Sequence, residues 1–123
     1  MRSAPKIRFA HESERHLAEY FDARGIAFEY EPVEFALGWD STGRTTLGFR
    51  PDFYLPELDL FIELTTLRQC LVTRKNRKVR TLRALHPEIR IEVLYRRDYE
   101  AMVAGGEVAA VESLLPQREI RSA

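Results

Sequence analysis

The chain has one cysteine, Cys70, in 123 residues. A single thiol excludes a disulfide framework and any zinc site built from several thiolates. No apolar run approaches the ~20 residues that a membrane span requires. The opening stretch MRSAPKIRFAHESE lacks the apolar core of a secretory signal. A reduced, cytoplasmic protein with no membrane partner is the expectation. Glycine and proline number six each, too few for a low-complexity chain. No repeat or linker divides the sequence, so a single domain over 1–123 is expected, with a flexible N-terminus (1–8) and C-terminal tail (116–123). There is no glycine-rich phosphate loop. The three histidines, His11, His16 and His86, have no metal-ligand spacing, and Cys70 has no pattern that would activate a nucleophile.

Net charge is absent as well, since 19 basic residues balance 19 acidic ones. The distribution is not even. Eight acidic residues and two basic ones lie between Phe28 and Glu63, whereas no acidic residue occurs from Leu64 to Pro87. That second stretch carries Arg68, Arg74, Lys75, Arg77, Lys78, Arg80 and Arg83. A basic block of this kind is the electrostatic footprint of a phosphate-bearing partner, although a solvated helix face has the same composition.

Periodicity organises the chain. Leu17, Ala18 and Phe21 form a helical stripe within about His11 to Arg24, and Gly25 ends it. Glu14 falls on the inward side of this helix. Phe28 to Leu37 and Thr45 to Leu55 read as two extended runs joined by the turn segment GWDSTGRT, a hairpin, with Pro32 marking a bulge or edge. A third strand spans Leu58 to Thr65, with Leu60, Ile62 and Leu64 on one face and Phe61, Glu63 and Thr65 on the other. A helix from Val72 to Leu85 and a strand from Ile89 to Tyr95 complete a crossover unit, which pairs parallel strands. The inward stripe of that helix is expected at Leu71, Lys75, Lys78, Leu82 and Leu85. A short helix over Tyr99–Ala104 capped by Asp98, and a last one over Glu107–Leu115, follow. The expected fold is α/β, a mixed sheet of about four strands flanked by helices in the order αβββαβ.

The chemistry concentrates in PDFYLPELDLFIELT, from Pro51 to Thr65. Asp52 lies near the end of one strand and Glu63 on the next, with a tight Leu-Pro-Glu connection between them. Both carboxylates can converge at one sheet end. With a neighbouring backbone carbonyl they make a hard oxygen site suited to Mg²⁺, and a metal so held polarises phosphate and activates water. Each piece has a plainer reading. Asp52 fits a turn, Glu63 an outer sheet face, and Glu14 a helix N-terminus favoured by the dipole. A carboxylate among Leu60, Phe61, Ile62 and Leu64 is costly unless it is paired or metal-bound. Trp39 and Arg44 fall in the hairpin turn, where Trp39 can stack on a base or pack the turn.

Pro51-Asp52, then Glu63 after ten residues, then a basic helix and a second apolar strand, resembles the PD-(D/E)xK (restriction-endonuclease-like) nuclease superfamily. The leading helix with Glu14, followed by Tyr30-Glu31-Pro32, is similar to the branch containing phage Holliday-junction resolving endonucleases and transposon-end nucleases. The string from Glu63 to Tyr99 also resembles an uncharacterised bacterial domain that in some bacteria precedes a hypoxanthine phosphoribosyltransferase. The superfamily resemblance implies metal-dependent hydrolysis of a nucleic-acid phosphodiester, DNA by preference, by a homodimer. It implies that Asp52, Glu63 and the Leu64 carbonyl bind Mg²⁺ or Mn²⁺ and that Glu14 completes the shell. The motif lysine is replaced by Thr65, whose hydroxyl carries no charge. The resemblance allows relocation of that lysine to the basic helix, to Lys78 first and Lys75 next. Arg74, Arg77 and Arg80 would then contact backbone phosphates, with Gln69 and Thr65 as further polar contacts. Three other readings remain open. One is a nucleic-acid-binding module without catalysis, which Thr65 favours. Another is a nucleotide-binding or regulatory domain linked to purine salvage. The third is a protein-interaction module in which the basic block meets an acidic partner.

Overall fold

A computed structural model of the chain describes the backbone of residues 7–66 and 69–115, and the side chains of all of these but 69–71. Helix α1 (Glu12–Ala23) starts and stops within a residue of the expected bounds. Gly25 follows it with φ 68°, the left-handed conformation that suits glycine at a helix end. The two extended runs that follow are each broken in the middle. The first becomes β1 (Glu29–Tyr30) and β2 (Phe35–Trp39), and the second becomes β3 (Thr45–Phe49) and β4 (Phe53–Leu55). Pro32 cannot donate to a ladder, and Glu31 just before it takes φ 46°. Pro51 interrupts the second run in the same way.

The hairpin is therefore a correction in part. β2 and β3 pair antiparallel as expected, but they form a two-stranded sheet of their own. Strands β1 and β4 leave the hairpin and join β5 (Leu60–Thr65) and β6 (Ile91–Tyr95) in a four-stranded mixed sheet, order β1-β4-β5-β6. β5 pairs antiparallel with β4 and parallel with β6, across helix α2 (Gln69–Leu85). The architecture is thus α/β with a four-stranded mixed sheet. The observed order, helix, five strands, helix, strand and two helices, differs from αβββαβ by the split runs and by α3 (Arg96–Val103) and α4 (Ala109–Glu112).

Two apolar clusters flank the sheet. Leu60, Ile62 and Leu64 join Phe53, Leu55 and Leu94 beneath Leu17, Ala18 and Phe21 of α1, with Met102 and Val111 beside them. On the opposite face, Ile91 packs with Val79 and Leu82 of α2 and with Leu37 and Phe49 of the hairpin, while Phe61 and Val93 pack against the cluster. The α2 stripe differs from the expected one. Val79 is buried and Leu85 is exposed, because a 3.6-residue period carries the inward line from Lys75 through Val79 to Leu82 and past the helix end. Asp98 does not sit at an N-cap; it lies at the third helical position of α3 and accepts from the backbone N–H of Tyr95 at 2.8 Å. The expected flexible ends lie outside the described residues, apart from Ile7 and Arg8. No helix among the described residues is long and apolar enough to cross a membrane.

Candidate functional site

The antiparallel register of β4 and β5 puts Phe53 opposite Ile62 and Tyr54 opposite Phe61. One step further along, Asp52 faces Glu63. Both side chains project to the α2 face, because side chains alternate along a strand. Each carboxylate is fixed by a backbone N–H of the other strand. The Asp52 N–H donates to Glu63 Oε1 at 3.0 Å, and the Leu64 N–H donates to Asp52 Oδ2 at 2.8 Å. Asp52 is 5% exposed and Glu63 2%. The convergence anticipated at one sheet end is present, and it rests on reciprocal backbone bonds.

Burial of two carboxyl groups side by side disfavours their ionised forms. Desolvation, with the Glu63 charge next, pushes Asp52 up to about 8, against the pull of Lys75 and the Leu64 N–H. Glu63 is also raised, again chiefly by burial, with Lys75 opposing. The pair titrates as a unit.

Lys75 supplies the nearest positive charge. Its Nζ lies 3.1 Å from Glu63 Oε2 and donates to the Leu64 carbonyl, also at 3.1 Å. The reason is geometric. α2 runs back along β5 after leaving it, so its first turns lie over the strand end that bears Glu63. Lys78, the better match to the resemblance, instead donates to the Gly48 carbonyl of the hairpin at 3.4 Å. Thr65, at the motif-lysine position, is 1% exposed, and its hydroxyl has no hydrogen-bond partner among the described residues.

Glu14 enters from α1 on the far side. It is buried, and its Oε1 accepts the hydroxyl of Tyr30, which in turn accepts the Ala10 N–H at 3.0 Å. Burial, and then the Glu14 carboxylate, hold the Tyr30 hydroxyl well above the usual tyrosine range. A cavity of about 340 Å³ opens onto these groups, and Glu14, Asp52, Glu63, Arg74, Lys75 and Lys78 all line it. Arg50, His11 and Glu31 line it too, and reading the sequence did not single them out as site residues. Arg50 immediately precedes Pro51-Asp52 and donates to the Glu31 carbonyl at 3.2 Å. Its position next to the first acid was the available signal. Arg77 and Arg80 are exposed on α2 but outside this cavity, and the Gln69 side chain lies outside the described residues.

The donor set is a hard one. Asp52 and Glu63 contribute two carboxylates, and the Leu64 carbonyl lies beside them. Among the described residues, no group of three or more His, Cys, Asp or Glu side chains is gathered closely enough to hold a metal ion. An ion here would therefore take two carboxylates, a carbonyl and waters, which is the coordination Mg²⁺ tolerates. The surplus of buried acid over the single Lys75 charge fits a cation at this place. No family model, curated protein or solved structure matches the chain.

Proposed function

We propose that this protein hydrolyses a nucleic-acid phosphodiester, with Mg²⁺ or Mn²⁺ held by Asp52, Glu63 and the Leu64 carbonyl. The observation that carries this reading is the buried Asp52–Glu63 pair, locked by reciprocal backbone bonds and walled by Lys75, Arg74 and Arg50. A sheet bearing two acids on the face covered by a basic helix, with α1 on the other face, also supports the restriction-endonuclease-like arrangement that the PD-(D/E)xK resemblance implies.

A divalent ion at these carboxylates supplies Lewis-acid polarisation of the phosphate and lowers the pKa of a bound water. The chain's own groups do the rest. Arg50 and Arg74 bind non-bridging phosphate oxygens at the cavity wall. Lys75 brings a fixed positive charge to the point where negative charge develops on the phosphate. Glu63, oriented by Lys75 and the Asp52 N–H, directs a water in line with the leaving oxygen. The water oxygen bonds to phosphorus as the leaving P–O bond breaks, one water proton passing to Glu63 and on to solvent, and the leaving oxygen taking its proton from solvent. Glu14, tied to Tyr30, closes the acidic wall from α1.

The test is cleavage of labelled DNA and RNA with Mn²⁺, with and without chelator, by the native protein and by Asp52→Asn. Metal-dependent products that vanish in the variant support the reading. Intact substrate under all conditions, with retained binding, moves the function to a nucleic-acid-binding module. The uncharged Thr65 and the lack of a third clustered acidic ligand among the described residues favour that second reading.

A further inference from the structure

Trp39 is the chain's single tryptophan, and it stands at the last position of β2 with half of its surface exposed. Its indole makes no hydrogen bond and no ring or cation contact among the described residues. The turn does not need it for packing. Asp40 builds that turn by itself: its Oδ1 accepts the Thr42 N–H at 2.8 Å, the Thr42 hydroxyl at 2.6 Å and the Arg44 N–H at 3.0 Å. The Asp40 N–H donates to the Arg44 carbonyl at 2.9 Å, and Gly43 takes φ 87°. A large flat ring is thus presented to solvent on a rigid turn. Leu47, paired with Gly38, is exposed nearby.

The surroundings select the partner. The other end of the hairpin reaches the acidic cavity, because Phe49 lines it and Lys78 bonds the Gly48 carbonyl. The hairpin packs on α2 through Leu37 and Phe49, and α2 exposes Arg74, Arg77 and Arg80 within a stretch that contains no acidic residue. The turn's hydrogen bonds, that of the Thr42 hydroxyl first, favour ionised Asp40, and Arg50 pairs with Glu34 at 3.5 Å, so the positive surface beside the hairpin is that of α2. A partner that meets both this basic surface and an unpartnered aromatic face carries phosphates and planar rings.

We propose that Trp39 is a stacking platform for an unpaired nucleobase of the strand whose backbone follows α2. This rests on the nuclease reading and adds to it a preference for substrates with single-stranded character. A paired base in a duplex interior has both faces occupied, so it cannot stack on the indole. Four strand steps lead from Thr45, opposite Trp39, to Phe49 at the cavity, a distance of roughly 13 Å. A nucleic-acid strand rising about 3.4 Å per nucleotide covers that distance in about four nucleotides. The rigid turn keeps the ordering cost of the contact small.

The single tryptophan provides the readout. The full-length Asp52→Asn protein, unable to cleave, is titrated with a labelled single strand and with a blunt duplex of equal length. Binding is followed by anisotropy and stacking by indole emission. The expected result is quenching by the single strand and none by the duplex. Trp39→Ala should weaken single-strand binding about tenfold or more, with Trp39→Phe recovering most of it and duplex affinity unchanged. Single-strand binding with unaltered emission, equal quenching by duplex, or native affinity in Trp39→Ala would each overturn the stacking site while leaving metal-dependent cleavage by the native protein intact. Absence of binding to either oligonucleotide would overturn both readings.

Discussion

Lys75 and Glu63 meet across the helix–strand interface at 3.1 Å, the lysine about a quarter exposed and the glutamate almost wholly buried. A cation delivered from a helix thus reaches the acid that the sheet provides. The ammonium also holds the Leu64 carbonyl, so one side chain touches two of the three groups assigned to the metal.

Lys75, rather than Lys78, is therefore expected to replace the motif lysine. Lys75→Ala should lower single-turnover cleavage about a hundredfold while leaving DNA affinity within a few fold, the signature of charge stabilisation in the transition state. Lys78→Ala, which frees only the Gly48 carbonyl, should cost less than about tenfold in rate. Equal losses in both variants would contradict the assignment. Thr65→Lys in the Lys75→Ala background tests whether a charge placed at the motif position restores the rate.

Metal should stabilise the fold. At about a hundredfold excess over Kd, Mn²⁺ adds about 2.7 kcal/mol by mass action on the native state. Asp52→Asn should abolish that increment and, by removing one buried acid, raise the metal-free melting temperature. Thermal melts of both proteins with and without Mn²⁺ measure the effect.

Stability without metal should depend on pH in an unusual sense for a carboxyl group. The Asp52 pKa is raised from 3.8 in the unfolded chain to about 8 in the fold, and Glu63 moves the same way. Between these values the native state keeps a proton that the unfolded state has released. The contribution of the pair to stability is therefore greatest below the unfolded value, falls as pH rises through the window, and levels off above about 8. Urea unfolding of metal-free protein across that range, against Asp52→Asn, should show a slope in the native protein that is reduced in the variant. Saturating Mn²⁺ should flatten it.

Replacing Arg74, Arg77 and Arg80 together by alanine should weaken binding to every duplex sequence. The log–log salt slope should fall by about 0.9 for each phosphate that is no longer neutralised. Arg74→Ala alone should also slow cleavage, since it lines the cavity and the other two do not. An unchanged salt slope would return these arginines to the role of a solvated helix face.

Much of this site was legible in the chain. The Asp52–Glu63 convergence follows from two strands and a short connection, because alternation alone fixes which side chains share a face. Burial of Glu14 followed from its place on the α1 stripe. Other features depended on information that periodicity does not carry. Lys75 and Lys78 both fit an inward stripe, and only the packing of Val79 and Leu82 decides how the helix is rotated over β5. Pro32 and Pro51 marked interruptions, but that each run would divide between two sheets depends on what β4 finds beside it. Arg50 reaches the cavity through the bend at Pro51, a tertiary consequence that a neighbour-by-neighbour reading does not resolve.

The separate hairpin sheet also sets a hierarchy of local stability. β2 and β3 exchange backbone hydrogen bonds with each other and not with the four-stranded ladder. Their attachment runs through side chains, chiefly Leu37 and Phe49 against α2 and the Lys78 bond to Gly48. A two-stranded ribbon is marginal by itself, so it can open without disturbing the amides of β4, β5 and β6. Amide hydrogen exchange in the hairpin then follows a sub-global opening, while β5, buried at five of its six residues, exchanges only through global unfolding. The acidic centre lies on the slow-exchanging part of the molecule and the ring of Trp39 on the fast one.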